Sequence, residues 1–268
     1  MLTFIKNFFE YKKYQYRNLI RHHNFYIKNS SNAKIINKLR SQGYFVIQNF
    51  MNTKDCKFLI NEIQKFIDLK NNLIWQDSKR SDQRIHGFEN VSNIVNLKLK
   101  KFNEFTRLIA REYLKQDVGL YMTMGNKVTF YPSNLGSGQG WHKDSYSKQF
   151  KSILYLNDVN KNNGPFQIIK KSNSNLFMFS LFYKLKNKYP STRFSDDEIK
   201  KILNKKLDKI TELTGKTGTL IMADTSLLHR GKPLNSDERY ALTNYFFPKK
   251  DFPNHEGHFV PKVNSLNI

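Results

Sequence analysis

A single cysteine, Cys56, excludes any disulfide framework within this 268-residue chain and fits a reducing compartment, so a cytoplasmic location is expected. Its position in a helical pattern makes it a small core residue. No stretch of about eighteen residues stays apolar and uncharged, which excludes a membrane-spanning helix. The N-terminus is basic but lacks an apolar signal core and a small-residue cleavage site, and Glu10 interrupts it. Acidic residues are scarce, 22 against 45 Lys+Arg, for a net charge of +23. Alanine is scarcer still, confined to positions 33, 110, 223 and 241, while Lys, Asn, Ile, Phe and Tyr crowd the chain, the composition of an AT-rich coding sequence. The lysine excess has two readings, compositional bias or a polyanionic partner. With no arginine-rich block or nucleic-acid motif, a nucleic-acid partner is not expected; an anionic small molecule or surface also fits the charge. Repeats and long low-complexity linkers are absent, and a 39% hydrophobic share suffices for one full core.

Residues 1–31 form a basic, aromatic-rich extension, with Phe4, Ile5, Phe8 and Phe9 leading into Tyr11, Tyr14 and Tyr16. It is expected to pack back on its own domain, residues 32–268; a helix for peripheral contact with a membrane or partner is the alternative. A short helix over 35–39 feeds a strand over 43–47. Thr53 is a plausible cap for a helix carrying Cys56, Leu59, Ile60, Ile63 and Phe66, and a further helix spans about 99–115. Residues 120–131 alternate as a strand. Tyr121, Thr123, Lys127, Thr129 and Tyr131 lie on one face, and Leu120, Met122, Met124, Val128 and Phe130 on the other. Strands follow at 152–156 and 166–169 around the turn Asn162-Asn163-Gly164-Pro165, and again at 219–223 and 240–247. Residues 176–212 read as a helical insertion, with a capping box at Ser195 and Glu198. Its aromatics Phe177, Phe179, Phe182 and Tyr183 have the spacing of core packing, although the segment is also placed to cover a pocket. This order predicts an α+β domain, a two-sheet jelly roll (double-stranded β-helix) with flanking N-terminal helices and a helical insertion.

The chemistry concentrates at Trp141-His142-Lys143-Asp144. On extended backbone, His142 and Asp144 project to the same side and can reach one ion. If the strand entering Leu228-His229-Arg230-Gly231 pairs beside them, His229 supplies a third ligand. Two histidines and one carboxylate leave three octahedral positions open, the arrangement of non-haem Fe(II) oxygenases, whereas zinc prefers a tetrahedral site with one open position. Ten residues on, Arg239 offers a planar fork for a carboxylate, and Thr243 lies on the same strand face. Tyr121, Lys127, Arg84 and His86 are candidates for substrate contact. Arg84-Ile85-His86-Gly87 reads as a polar loop or lid between helices.

These segments resemble the phytanoyl-CoA dioxygenase family. The resemblance rests on Gly43-Tyr44-Phe45-Val46-Ile47-Gln48-Asn49-Phe50, Trp141-His142-Lys143-Asp144, Asn163-Gly164-Pro165, Gly218-Thr219-Leu220-Ile221, Leu228-His229-Arg230-Gly231 and Arg239, in the family's order. It implies Fe(II) on His142, Asp144 and His229, 2-oxoglutarate on Arg239, and O2 as co-substrate, with 2-oxoglutarate decarboxylated to succinate. By the same register Thr129 falls at a 2-oxoglutarate-contacting asparagine of ectoine hydroxylase, and Lys127 near a substrate-facing arginine. Two departures stand out: Gly231 where the family often has serine, and Ile169-Lys170-Lys171-Ser172-Asn173 where it has Pro-Gly-Ser-His. The expected activity is hydroxylation of a small-molecule or conjugated substrate, anionic ones included. The presence of Asp144 disfavours halogenation, and a non-catalytic binding protein of the same fold is the alternative.

Overall fold

The structure is a computed structural model, and it describes residues 2–20, 32–69, 71–186, 188–204 and 207–248. Residues 21–31 of the extension and 249–268 of the domain lie outside the described residues, as do 187, 205 and 206 of the insertion. The elements are α1 (Leu2–Ile20), α2 (Ala33–Gln42), β1 (Tyr44–Ile47), α3 (Thr53–Leu69), β2 (Trp75–Gln76), β3 (Asp82–His86), α4 (Asn93–Leu114), β4 (Val118–Thr129), β5 (Trp141–His142), β6 (Phe150–Tyr155), β7 (Phe166–Ile169), α5 (Asn175–Lys184), β8 (Arg193–Phe194), α6 (Asp196–Leu203), β9 (Ile210–Leu213), β10 (Leu220–Asp224), β11 (His229–Gly231) and β12 (Glu238–Pro248). No helix among the described residues is long and apolar enough to cross a membrane.

Two antiparallel sheets carry the fold, one in the order β1-β10-β6-β12-β4-β3-β2 and the other β8-β5-β11-β7-β9. Period-two alternation assigns each residue a side. On the larger sheet Phe150, Leu154, Leu220, Met222, Tyr240, Leu242 and Phe246 pack outward with residues of α2, α3 and α4. Their neighbours Tyr155, Ile221 and Ala241 point inward and meet Phe166, Ile168 and Leu213 of the smaller sheet. The sheets therefore face each other, as in a jelly roll. Outside the smaller sheet, Trp141, Ile169 and Leu228 pack with α5, α6 and the Phe4 and Tyr11 side chains of α1.

Local chemistry sets the helix starts. Ser92 caps α4 by accepting from Val95 N, and the Ser195–Glu198 capping box forms as expected at α6. At α3 the cap is Asn52, not Thr53: Asn52 Oδ1 accepts from Asp55 N at 2.8 Å, and its amide returns to Asp55 Oδ2. The insertion is only partly helical. Its two-residue β8 and four-residue β9 edge the smaller sheet, too short to leave a periodic signal. The Arg84–His86 segment is likewise not a lid; it forms β3, with Ile85 and His86 buried.

Candidate metal centre and co-substrate pocket

The candidate metal ligands read from the sequence come together because β11 pairs antiparallel with β5, setting His229 opposite His142. Asp144 follows two residues beyond the end of β5. Ligand atoms of His142, Asp144 and His229 lie within 4.8 Å of one another. Both imidazoles are held from behind: Nδ1 of His142 donates to Gly140 O, and Nδ1 of His229 to Leu227 O, each at 2.9 Å. A carbonyl can only accept, so these bonds fix the Nδ1–H tautomer and leave both Nε2 lone pairs for an ion. Those Nε2 atoms face the Asp144 carboxylate at 3.7 and 3.8 Å.

The protonation states suit a cation. Burial, with the neighbouring His142 ring, pushes the His229 imidazole down to about 3, and burial also lowers His142. For Asp144 burial alone would raise the carboxyl; Lys151, then His229 and His142, hold it well below the usual carboxylate range. Two neutral imidazoles and one carboxylate need no proton removed before metal binds. Between the ligands, Lys143 turns away into the interior, donating to the backbone oxygens of Ser172 and Ser226. Burial pushes its ammonium down to about 7. Ser172 Oγ in turn accepts from Leu228 N at 2.7 Å, so the unusual Lys171-Ser172-Asn173 segment fixes the approach to His229.

The triad opens into a cavity of about 300 Å³ between the sheets. From β12 the odd residues Arg239, Ala241, Thr243 and Tyr245 line it; from β6, Lys151, Ile153 and Tyr155; from β4, Met124 and Asn126; from β3, Arg84 and His86. Arg239 is 4% exposed, its Nη1 donates to Gly164 O, and its Nε is buried with no hydrogen-bond partner. A buried guanidinium edge without an acceptor, on the metal's own cavity, fits a ligand carboxylate. Arg230 points the other way, bound to Asp196 and Gln167 at 2.7 Å each and stacked over Trp141.

Three sequence expectations fail on strand register. Thr129 and Lys127 sit on β4, but the cavity takes the alternate set, Met124 and Asn126. Lys127 belongs to the helix-facing side, where Nζ donates to Gln64 Oε1 at 2.8 Å, 3.4 Å from Glu238 and over the Tyr240 ring. Tyr121 lies at the register shift between β4 and β12 and packs against Phe247, away from the cavity. Alternation makes the polar face of β4 the expected pocket face; that face is instead covered by Gln64 of α3 and Glu238 and Tyr240 of β12, while Asn126 lines the cavity on the side that reads as apolar. Arg84, His86 and Thr243 do line it. Sequence reasoning missed Asn126, Lys151, Tyr245, Arg193 and Ser137. The signal available was pairing: Thr243 opposes Ile153 and Tyr245 opposes Lys151, so the Arg239 face of β12 continues onto β6. Gly231 is explained sterically, since a Cβ there would lie 2.9 Å from Ser137 Cβ and 3.0 Å from its backbone.

The family model for phytanoyl-CoA dioxygenase (PhyH) matches residues 39–241. No curated protein sequence is matched. Among solved structures, EctD from S. alaskensis in its apoform superposes with a TM-score of 0.61 at 15% identity, covering 88% of this chain and 87% of that one. HygX from Streptomyces hygroscopicus, solved with nickel and 2-oxoglutarate bound, gives 0.56 at 10% identity over 83% and 88%. A Pseudomonas putida prolyl-4-hydroxylase gives 0.52 at 14% over 81% and 98%. Such identities speak for the shared fold, and the family match covers most of the chain together with every proposed ligand. The protein belongs to the phytanoyl-CoA dioxygenase family of Fe(II)- and 2-oxoglutarate-dependent oxygenases.

Proposed function

We propose that this protein hydroxylates a small anionic molecule, with Fe(II) on His142, Asp144 and His229 and with Arg239 and Thr243 receiving the distal carboxylate of 2-oxoglutarate. The observation that carries this reading is the buried, unpartnered Arg239 Nε on the same cavity as the triad. When bound, iron and 2-oxoglutarate supply O2 activation coupled to decarboxylation to succinate. The chain's own contribution is to hold three ligands on one face and to grip the co-substrate from the opposite wall of a cavity set between two sheets.

Charge favours an anionic substrate. Five cationic residues lie along the cavity; Lys143 turns its ammonium into the interior, which leaves Arg84, Lys151, Arg193 and Arg239. Asp144 on the wall and Asp82, which pairs with Arg84, are their two carboxylate partners, leaving a surplus of two positive charges. Fe(II) and the 2-oxoglutarate dianion cancel, so loading preserves that surplus. Arg84 is held stiffly, forked onto Asp82 and 4.3 Å from the Trp75 ring, and Arg193 is anchored to Gly138 O at 2.7 Å. Arg84 and Arg239 on the inner wall, with the exposed Arg193 at the rim, favour a phosphate or carboxylate on the substrate.

The test is anaerobic titration of the protein with Fe(II) and then 2-oxoglutarate. A visible charge-transfer band is expected, absent in His142→Ala and Asp144→Ala although both stay folded. Admission of air should yield succinate. A binding protein without catalysis would give the band and no succinate. Within the loaded complex, anionic small molecules should perturb the band and neutral analogues should not; the reverse preference overturns the substrate class.

A further inference from the structure

The α1–α5 pair presents a surface that the oxygenase reading does not use. The two helices run antiparallel, since Phe4 meets Tyr183 while Lys12 reaches Asn175. Phe4, Phe8 and Tyr11 form the buried side of the pair, packing on Phe179 and Phe182 with ring centroids 5.5 to 6.5 Å apart. This leaves Ile5, Phe9 and Tyr16 of α1 and Leu176, Phe179 and Tyr183 of α5 between 37% and 82% exposed. The spacings 5, 9, 16 and 176, 179, 183 put each set on one helix stripe. Phe4 joins them, lying 5.5 Å from Phe179 and 5.4 Å from Tyr183. A joined apolar patch of this kind on two adjacent helices is not an ordinary scatter of surface hydrophobics.

Its border is basic. Lys6, Lys13 and Arg17 project beside the Ile5–Phe9–Tyr16 stripe, and Lys186 follows α5. The acid of α1, Glu10, is already paired with Lys13 at 2.9 Å. From Val159 to Ser195 the chain contains no Asp or Glu. The face thus combines bulky aromatics and leucine with lysine and arginine at their edge and with almost no opposing charge.

We propose that the α1–α5 face docks on the surface of an anionic lipid bilayer, with Ile5, Phe9, Tyr16 and Leu176 entering the headgroup–acyl boundary and Lys6, Lys13, Arg17 and Lys186 meeting the acidic headgroups. Phenylalanine and leucine suit that depth, tyrosine carries a hydroxyl for the wet side, and lysine stems extend along the apolar layer to reach phosphate. Attraction of the basic rim brings the face to the membrane, and the apolar stripe holds it. The same helix touches the metal loop, because Tyr14 Oη lies 3.4 Å from Ser145 Oγ, next to Asp144. Tyr14 lies on the side of α1 opposite the Ile5–Phe9–Tyr16 stripe, so docking leaves one helix, about 10 Å across, between the bilayer and that loop. The proposal is independent of the substrate and of turnover.

The full chain carrying Phe9→Trp reports insertion directly, its emission read against the native Trp75 and Trp141 background. With vesicles holding about 30% anionic lipid, a blue shift and quenching by brominated acyl chains are expected, and neither with neutral vesicles. In co-sedimentation at about 0.15 M salt, Phe9→Ser/Leu176→Ser and Lys6→Glu/Lys13→Glu should each lower partitioning by about tenfold. All four positions are exposed, so neither double variant disturbs the core. The proposal is overturned if the chain does not bind vesicles. It is equally overturned if it binds with unshifted emission and is insensitive to the apolar pair, which would be adsorption through the general +23 charge. Retention on immobilised polyglutamate without insertion would assign the face to an acidic polypeptide instead.

Discussion

The Lys151 ammonium lies 2.7 Å from Oδ2 of Asp144, and it does so on the cavity side of a carboxylate that faces both imidazoles. A cation stands beside the ligand that a metal needs. Burial lowers the Lys151 ammonium, but Asp144 and the Tyr245 side chain raise it further, so it remains charged. The ion also sits 4.5 Å from the Tyr245 ring centroid.

Fe(II) held by the triad would compete with Lys151 for the Asp144 carboxylate. Lys151→Gln should therefore tighten Fe(II) binding by about tenfold, the effect of removing one like charge from a poorly screened site. The variant should also lose the response of the loaded complex to anionic substrates. An anaerobic Fe(II) titration decides the matter: weaker binding would mean that Lys151 orients Asp144 for the metal rather than competing with it.

Gly138 and Gly140 separate strain from geometry. Both have φ +88°, so alanine at either position meets the same left-handed penalty of about 1–2 kcal/mol. At Gly140 nothing lies within 4 Å of the new methyl, whereas at Gly138 it would stand 2.5 Å from Cε1 of His142. Gly140→Ala should lose a few degrees of melting temperature and keep its iron. Gly138→Ala should show similar thermal loss but bind Fe(II) at least about tenfold more weakly, because the imidazole must move. Equal iron affinity in the two variants would show that the His142 position tolerates displacement.

Metal-free protein should lose stability on mild acidification. His229 is depressed in the fold to about 3, against about 6.5 in an unfolded chain, so the unfolded state binds the extra proton between those values. Stability is complete above pH 6.5 and falls as pH drops toward 3, by about 1.4 kcal/mol per pH unit from this group. His142, also depressed, acts in the same direction. Denaturant midpoints measured in chelator from pH 7 to 4 should decline, with a shallower slope in His229→Gln. An unchanged slope would place the acid sensitivity elsewhere.

The candidate site was legible because each of its residues sits at a motif whose spacing survives folding: His142 and Asp144 two apart, His229 after a buried strand, and Arg239 opening the last one. Long periodic elements such as α3 and β12 were legible for the same reason. What failed was which side of a strand meets the cavity. On β4 the polar set Lys127 and Thr129 satisfied alternation but is occupied by Gln64 and the β12 strand, while Asn126 hides among methionines and donates to Asp82 at 2.8 Å. Lys151 carries no motif; only its place opposite Tyr245 shows it to be a cavity residue. Strand pairing is a non-local fact, and single-strand polarity does not encode it.

Arg239 and Arg230 separate the partner proposed for the co-substrate from its neighbour. Arg239 is buried on the cavity wall, and its partnerless Nε leaves an edge of the fork for an incoming carboxylate. Removing one partner of such a charge-assisted contact costs about 2–5 kcal/mol, a weakening of about thirty- to several-thousand-fold. Arg239→Ala should therefore bind Fe(II) normally but require far more 2-oxoglutarate for uncoupled succinate formation. Arg239→Lys should recover only part of that affinity, because an ammonium cannot present paired donors in a plane. Arg230 is committed on the far side of β11, to Gln167, Asp196 and the Trp141 ring. Arg230→Ala should cost some stability and leave the 2-oxoglutarate requirement within about twofold of wild type. A raised requirement in Arg230→Ala with none in Arg239→Ala would move the co-substrate off β12, and the cationic surplus assigned to the substrate would have to be recounted without Arg239.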